Sequence, residues 1–127
     1  MPFARIDLIQ GKSTEFRQAV GDIVYQAMCS VLKAPEGDRF QVINEHAREN
    51  FVYDPDFLGI HRTDGCIFIQ LTLVGGRSLD QKRGFYKQVV EQLHDRLGVR
   101  REDVVIGLVP VEREDWSFGN GEASLVK

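Results

Sequence analysis

The feature that most constrains the fold of this chain is an internal duplication. A Gly-basic-Ser tripeptide at residues 11–13 recurs 65 positions later at 76–78, and the same offset relates the segments on both sides. Self-similarity at a fixed offset is the signature of a repeated supersecondary unit. The 127-residue chain is therefore expected to build its two halves from the same elements in the same order.

Each copy of the repeat has the pattern strand, helix, strand. Runs dense in branched and aromatic residues precede the tripeptides, at 3–9 and 66–74, as is typical of buried strands. The apolar residues then take helical spacing, and Ser13 and Ser78 stand where N-caps belong, which predicts helices over about 14–33 and 79–97. The offset continues into second strands at 38–43 and 103–108.

This order predicts an α+β fold in one domain, residues 1–127. Two β-α-β repeats, at about 2–43 and 66–108, form a four-stranded sheet with two helices on one face. The other face has no helix left to cover it, so we expect the chain to associate with further copies through that face. Residues 44–65 lie outside the repeat and suit a lid, an intersubunit arm or a packed connector.

Composition argues against several functional classes. A net charge of −3 and a pI near 5.6 give no reason to expect nucleic-acid or anionic-membrane binding. No stretch approaches the roughly 18 apolar residues of a membrane span and no leader is evident, so a cytoplasmic location is expected. Cys29 and Cys66 fit neither a metal knuckle nor a redox pair. His46, His61 and His94 lack metal-ligand spacing and are expected to be solvent-facing or loop residues, so no metal or cofactor is expected.

Pro2 is the residue with the most unusual potential reactivity. Removal of Met1 would leave it as a secondary amine at the chain end. An α-amino group has a pKa of about 7.7–8.0, so modest burial or a nearby charge decides whether it is a base, an acid or a nucleophile. The alternative is that Pro2 merely begins an edge strand, where its missing N–H does no harm.

A β-α-β duplication that begins Met-Pro, with an arginine just after the third strand, resembles the tautomerase superfamily, whose members carry a catalytic amino-terminal proline. Residues 38–41, 76–78, 85–87 and 115–119 are similar to the malonate semialdehyde decarboxylase group, and the resemblance runs essentially end to end. It implies a homotrimer with active sites around the amino-terminal proline, each lined partly by a neighbour. By position, it implies roles for Pro2 as the catalytic amine, Asp38 as the carboxylate beside it, Arg77 as the carboxylate-binding cation, and Trp116 and Phe118 as the apolar wall.

The residues themselves leave room for plainer roles. Arg77 precedes a helix whose positive N-terminal end would reinforce its hold on a carboxylate, but it could also be an exposed turn residue. Asp38 has a repeat twin in Asp103, so a structural role for an acidic residue before the strand is plausible. The best-known decarboxylase pattern has a further arginine where this chain has Gly75.

The expected function is cofactor-independent decarboxylation of a small 3-oxo acid to an aldehyde and carbon dioxide. Keto-enol tautomerisation of a 2-oxo acid such as phenylpyruvate would need Pro2 as a neutral base. Asp38 favours the protonated amine, so tautomerisation ranks second. Hydration of an unsaturated acid, with Asp38 activating water, remains open, as does a non-catalytic trimeric binding protein that retains Met1.

Overall fold

The computed structural model describes residues 2–127, so the state of Met1 lies outside the described residues. Two β-α-β units follow one another along the chain, each with one long helix. The first consists of β1 (Phe3–Ile9), α1 (Thr14–Ser30) and β2 (Phe40–His46); the second consists of β3 (Ile67–Val74), α2 (Leu79–Leu97) and β4 (Val104–Val111). Short 3₁₀ turns lie in the connector between the units and on either side of β4.

The four strands form one sheet in the order β2-β1-β3-β4. Strands β1 and β2 are parallel, β3 and β4 are parallel, and the two units meet at the antiparallel pair β1 and β3. Alternate residues of the central strands face both helices in a single apolar core, in which Phe85 of α2 is the largest fully buried side chain. The predicted α+β fold, a four-stranded sheet with two helices on one face, is confirmed.

The helix boundaries follow from local capping. The Ser13 hydroxyl accepts a hydrogen bond from the Phe16 N–H (3.0 Å) at the start of α1. At α2, Ser78 and Gln81 form the reciprocal capping box. Helix α2 ends at Leu97 and is capped by Gly98, which has φ 67°, as predicted. Helix α1 ends at Ser30 instead of the expected residue 33, because the chain turns before Pro35 through a left-handed residue at position 33.

The sheet face opposite the helices is largely open. Its uncovered apolar side chains lie on the two edge strands: Phe40 (44% exposed), Val42 (36%), Val105 (38%) and Val109 (36%). Only part of the connector reaches this face, where the buried Phe51 stacks on Phe68 with ring centroids 4.4 Å apart. Exposed apolar area on this scale is typical of an interaction surface.

Two histidines differ from expectation. His46 lies half-buried in β2, with Nε2 2.7 Å from Oδ1 of Asp7 on the neighbouring strand. His94 lies half-buried in α2, with Nδ1 3.1 Å from the carbonyl oxygen of Val99. The prediction that all three histidines are solvent-facing or loop residues is therefore correct only for the exposed loop residue His61.

Candidate active site

The strand directions bring the predicted site residues to one end of the sheet. Parallel strands β1 and β2 start at this end, while β3 runs antiparallel to β1 and ends there together with β4. Pro2 precedes β1, Asp38 precedes β2, Arg77 follows β3, and residues 116–118 follow β4. Four segments that are distant in sequence thus converge because of the topology.

Asp38 is held by a compact turn before β2. Its N–H donates to the carbonyl of Pro35 (3.1 Å), and the Gly37 N–H donates to the hydroxyl of Tyr25 (2.9 Å). The side chain is only 5% exposed. Burial raises the pKa of the Asp38 carboxyl, while the positive charges of the chain's amino terminus and of Arg77 act in the opposite direction. A buried carboxylate thus lies within electrostatic range of a guanidinium.

Arg77 is fixed by the turn between β3 and α2. Its Nη1 donates to the carbonyl of Val74 (2.6 Å) and its Nε to the carbonyl of Leu32 near the end of α1 (3.2 Å). Gly76, at φ 112°, lets the chain turn sharply between Val74 and the arginine. A guanidinium has five N–H donors, so these two bonds orient it and leave the others for an anion.

A cavity of about 450 Å³ lies beside Arg77. Its charged lining residues are all cationic. The lining consists of Leu32, Lys33, Pro35, Val74, Gly75, Gly76, Arg77, Gln81, Arg113 and Leu125. A cavity with several cations and no carboxylate in its lining favours an anionic ligand.

The aromatic residues after β4 form a wall at the same end of the sheet. The rings of Trp116 and Phe118 stack 5.1 Å apart, and Phe118 contacts Phe40 with a centroid distance of 5.5 Å. Phe40 and Phe118 line a second cavity of about 420 Å³ together with Asp38. This cavity shares Pro35 and Leu125 with the cavity beside Arg77. The carboxylate therefore lies on an apolar cavity and the arginine on a cationic one, and the two cavities adjoin.

Pro2 is buried at this end and lines neither of these two cavities. While Met1 is attached, the nitrogen of Pro2 belongs to a tertiary amide and has neither a proton nor nucleophilic character. The register places Phe3 opposite Phe40 on one side and Thr72 on the other. Pro2 therefore stands between the chain segments that lead to Asp38 and to Arg77.

Sequence reasoning missed several lining residues. Phe40 carried a signal, since strand alternation places it on the open face of β2. The sequence gives no signal for Arg113 and Leu125, because they reach the cavity beside Arg77 only through the path of the chain after β4. Within residues 2–127, no group of three His, Cys, Asp or Glu side chains is arranged to hold a metal. In the same part of the chain, neither helix has the length and apolar character that crossing a membrane requires.

Asp103, the repeat twin of Asp38, has a structural role. It is 2% exposed and accepts hydrogen bonds from the Thr63 N–H (2.7 Å), the Thr63 hydroxyl (2.6 Å) and Nη1 of Arg100 (3.2 Å). These bonds tie the connector to the start of β4. Asp38 and Asp103 thus occupy the same position in the two repeats but lie at opposite ends of the sheet.

We expect Asp103→Ala to lower the free energy of unfolding by about 3 kcal/mol, because three donors lose a buried acceptor. The matched control is Glu102→Ala, which removes an exposed ion pair to Arg100 (3.0 Å) and should cost less than about 1 kcal/mol. Urea unfolding measures both. Equal losses in the two variants would show that the Asp103 contacts contribute little.

The duplicated β-α-β sheet, with a cationic cavity at one end, defines the class of protein to which the chain belongs. Family models described as "Tautomerase enzyme" match residues 38–119 and residues 2–59. The chain belongs to the tautomerase family, and the resemblance inferred from its sequence is confirmed.

Named relatives and solved structures agree with this assignment. The chain is 41% identical to the probable tautomerase YusQ of Bacillus subtilis (strain 168), over 100% of both chains. Its sequence is 33% identical to that of FG41 malonate semialdehyde decarboxylase, whose crystal structure was determined with the enzyme inhibited by 3-bromopropiolate. The two structures superpose with a TM-score of 0.89 over 96% of this chain and 92% of that one. A second malonate semialdehyde decarboxylase structure is 28% identical, with a TM-score of 0.90 over 97% and 95%. The chain is therefore similar to proteins named for two different reactions.

Proposed function

We propose that this protein is a cofactor-independent decarboxylase of small 3-oxo acids, with the amine of Pro2 as its catalyst once Met1 is removed. The observation that carries the proposal is the buried Asp38 carboxylate at the sheet end where β1 begins. A carboxylate there favours the protonated, cationic form of the amine. Decarboxylation can use that cation directly to polarise the carbonyl oxygen, whereas proton abstraction from carbon requires the neutral amine.

Loss of carbon dioxide requires somewhere for an electron pair to go. In one route the protonated amine of Pro2 gives up a proton, the neutral amine adds to the substrate carbonyl, and that proton returns to the oxygen, which leaves as water and gives an iminium ion. The bond to the carboxylate carbon then breaks, its electron pair forms an enamine, and protonation at carbon followed by hydrolysis releases the product and the amine. In the other route the protonated amine donates a hydrogen bond to the carbonyl oxygen, which receives the electron pair as an enolate.

The other side chains have separate roles in either route. Arg77 binds the departing carboxylate, with the guanidinium already oriented by the carbonyls of Val74 and Leu32. Trp116 and Phe118 exclude water, which favours conversion of the anionic carboxylate into neutral carbon dioxide. Asp38 stabilises the cationic amine and orients water for hydrolysis of the iminium.

Tautomerisation of a 2-oxo acid is the second candidate, because the relative with 41% identity is named a probable tautomerase. It uses the same residues with neutral Pro2 as the base. Hydration of an unsaturated acid uses Asp38 to activate water, and the malonate semialdehyde decarboxylase that is 28% identical to this chain is described as having both decarboxylase and hydratase activities.

We also propose a homotrimer. The open sheet face with its exposed apolar residues on β2 and β4 supports burial against further copies. A fused 4-OT protein described as a symmetric trimer shares the fold, with a TM-score of 0.79 at 18% identity over 97% of both chains.

The reaction is tested by proton NMR of Met1-free protein with malonate semialdehyde. Acetaldehyde formation is expected from processed protein, whose state is verified by intact mass, and not from the same protein retaining Met1. Phenylpyruvate enol is supplied in a parallel sample. Ketonisation without acetaldehyde would replace the decarboxylase proposal with the tautomerase, and inactivity of the processed protein on both would contradict both.

The ionised carboxylate of Asp38 is expected to lower the stability of the fold and to support activity. Because the folded-state pKa exceeds the unfolded value of 3.8, ionisation of Asp38 opposes folding. This penalty is absent well below pH 3.8 and is complete once the pH exceeds the folded-state pKa. Asp38→Asn is therefore expected to raise the free energy of unfolding at pH 7, to leave it unchanged near pH 3, and to lower kcat/KM about tenfold to hundredfold.

Urea unfolding at pH 7 and near pH 3 measures the change in the free energy of unfolding, and steady-state kinetics measures the change in kcat/KM. Asp95→Asn on the exposed side of α2 is the matched control and should change neither quantity. A variant at position 38 that loses stability at pH 7 would contradict the unfavourable burial of the carboxylate.

A further inference from the structure

The cavity beside Arg77 contains more positive charge than one carboxylate needs. Lys33, Arg77 and Arg113 all line it, and no acidic residue does. Within residues 2–127 none of the three is ion-paired with a carboxylate, whereas Arg39 pairs with Asp22 at 2.7 Å. Like charges that share one cavity repel one another, and an anion with two negative groups relieves that repulsion better than a monoanion.

Arg113 reaches the cavity because of the pairing between β3 and β4. The Gly75 N–H donates to the carbonyl of Val111 (3.0 Å), which places position 113 two residues beyond the partner of Gly75. Gly75 has no side chain to occupy this space. A Cβ added there would have only ordinary contacts, 3.7 Å from Cβ of Pro110 and 4.0 Å from the carbonyl oxygen of Val111.

The cations also differ in what already holds them. Arg77 is fixed by two backbone carbonyls, and the Lys33 ammonium donates to the carbonyl of Ser30 (3.1 Å). Arg113 is exposed at the start of the 3₁₀ turn after β4 and also lines an adjoining depression with Glu112 and Glu114, neither of which forms an ion pair with it. Among the three, Arg113 keeps the most freedom to meet a second anionic group.

We propose that Arg113 is a specificity-determining residue that binds a second carboxylate, so that the preferred substrate is a dicarboxylic 3-oxo acid. This rests on the proposed decarboxylase function. Arg77 holds the carboxylate that leaves, and Arg113 holds the one that stays. One carbon–carbon bond breaks, carbon dioxide departs, and the remaining carbon takes one proton. The cavity of about 450 Å³ has room for a small dicarboxylic 3-oxo acid, since pockets of about 300–1,000 Å³ accommodate drug-sized ligands.

The test uses two substrates that differ only in the second carboxylate. Oxaloacetate and acetoacetate are both 3-oxo acids, with a carboxylate and a methyl group respectively on the ketone. Processed protein is assayed with a chelator present, and the spontaneous rate is subtracted. We expect kcat/KM to be at least about tenfold higher for oxaloacetate, and Arg113→Gln to remove that preference while changing the acetoacetate rate less than about twofold.

Two further variants sharpen the result. Arg96→Gln removes the same charge from the exposed side of α2 and should leave both rates unchanged. Gly75→Arg added to Arg113→Gln should restore part of the oxaloacetate preference, because the Cβ position has room and opens on the same cavity. Equal losses for both substrates in Arg113→Gln would overturn the proposal.

A binding measurement separates this inference from the proposed reaction. Calorimetry compares succinate with butyrate, four-carbon acids that carry two charges and one charge. We expect succinate to bind at least about tenfold more tightly, and the preference to disappear in Arg113→Gln. Selective succinate binding without turnover of any 3-oxo acid would reject decarboxylation and leave dianion recognition standing. Equal binding of the two acids would overturn the role of Arg113 whatever the reaction.

Discussion

Pro2→Ala is expected to lower kcat/KM for malonate semialdehyde by about 10³-fold, which corresponds to roughly 4 kcal/mol of transition-state stabilisation. Proline supplies a secondary amine, which condenses with a carbonyl to give a permanently cationic iminium. Alanine supplies a primary amine, whose imine must take up a proton to become an equally good electron sink. The pyrrolidine ring also restricts the orientation of the nitrogen at the start of β1, and alanine does not.

The measurement is acetaldehyde formation by proton NMR, with removal of Met1 verified by mass in each protein. Pro55→Ala, in the exposed connector, controls for a general effect of losing a proline and should retain full activity. Borohydride reduction during turnover traps a covalent adduct on the wild-type amino terminus if the iminium route operates. A Pro2→Ala protein within about tenfold of the wild type would reject proline catalysis by either route.

Arg77→Gln is expected to lower kcat/KM by about 10²- to 10³-fold, with KM raised and kcat lowered together. The substrate loses a charged bidentate partner, and the departing carboxylate loses its orientation. The variant should also be less stable, because Arg77 donates hydrogen bonds to the carbonyls of Val74 and Leu32. At about 1 kcal/mol for each such bond, the variant should unfold at a lower urea concentration but remain folded at 25 °C.

Arg77→Lys separates charge from geometry. Lysine keeps the positive charge but cannot reproduce the planar fork, so we expect an activity between those of the wild type and Arg77→Gln. Arg83→Gln, on the exposed side of α2, is the matched control and should leave the kinetics unchanged. An unchanged KM in Arg77→Gln would mean that the substrate carboxylate binds elsewhere.

Most of the architecture could be predicted because the sequence presents each element twice. The caps at Ser13 and Ser78 and the αL residue Gly98 are local signals, and local hydrogen bonds decide where a helix begins or ends. The end of α1 was missed because the apolar spacing runs past Ser30, while the left-handed turn at residue 33 is not encoded by a glycine. Periodicity reports which face is buried and does not by itself report where the helix stops.

The site was only partly predictable for a different reason. Arg77 stands in a recognisable turn before a helix, but Arg113 enters the cavity through strand pairing between β3 and β4. The contact between Asp7 and His46 likewise depends on two strands meeting in register. Contacts between segments far apart in sequence leave no periodic trace in either segment. They become visible only when the sheet order is known.

The duplication gives the sheet two equivalent ends, but a polypeptide has only one amino terminus. At one end β1 starts next to the beginning of β2, so removal of Met1 would place the α-amine of Pro2 at the same end as Asp38. At the other end the equivalent place is occupied by a continuous backbone, and Asp103 there accepts hydrogen bonds from Thr63 and Arg100. Under the proposed role of the Pro2 amine, each subunit therefore has one such site. The equivalent residue Asp103 lies away from that end and instead fixes the connector to the second repeat.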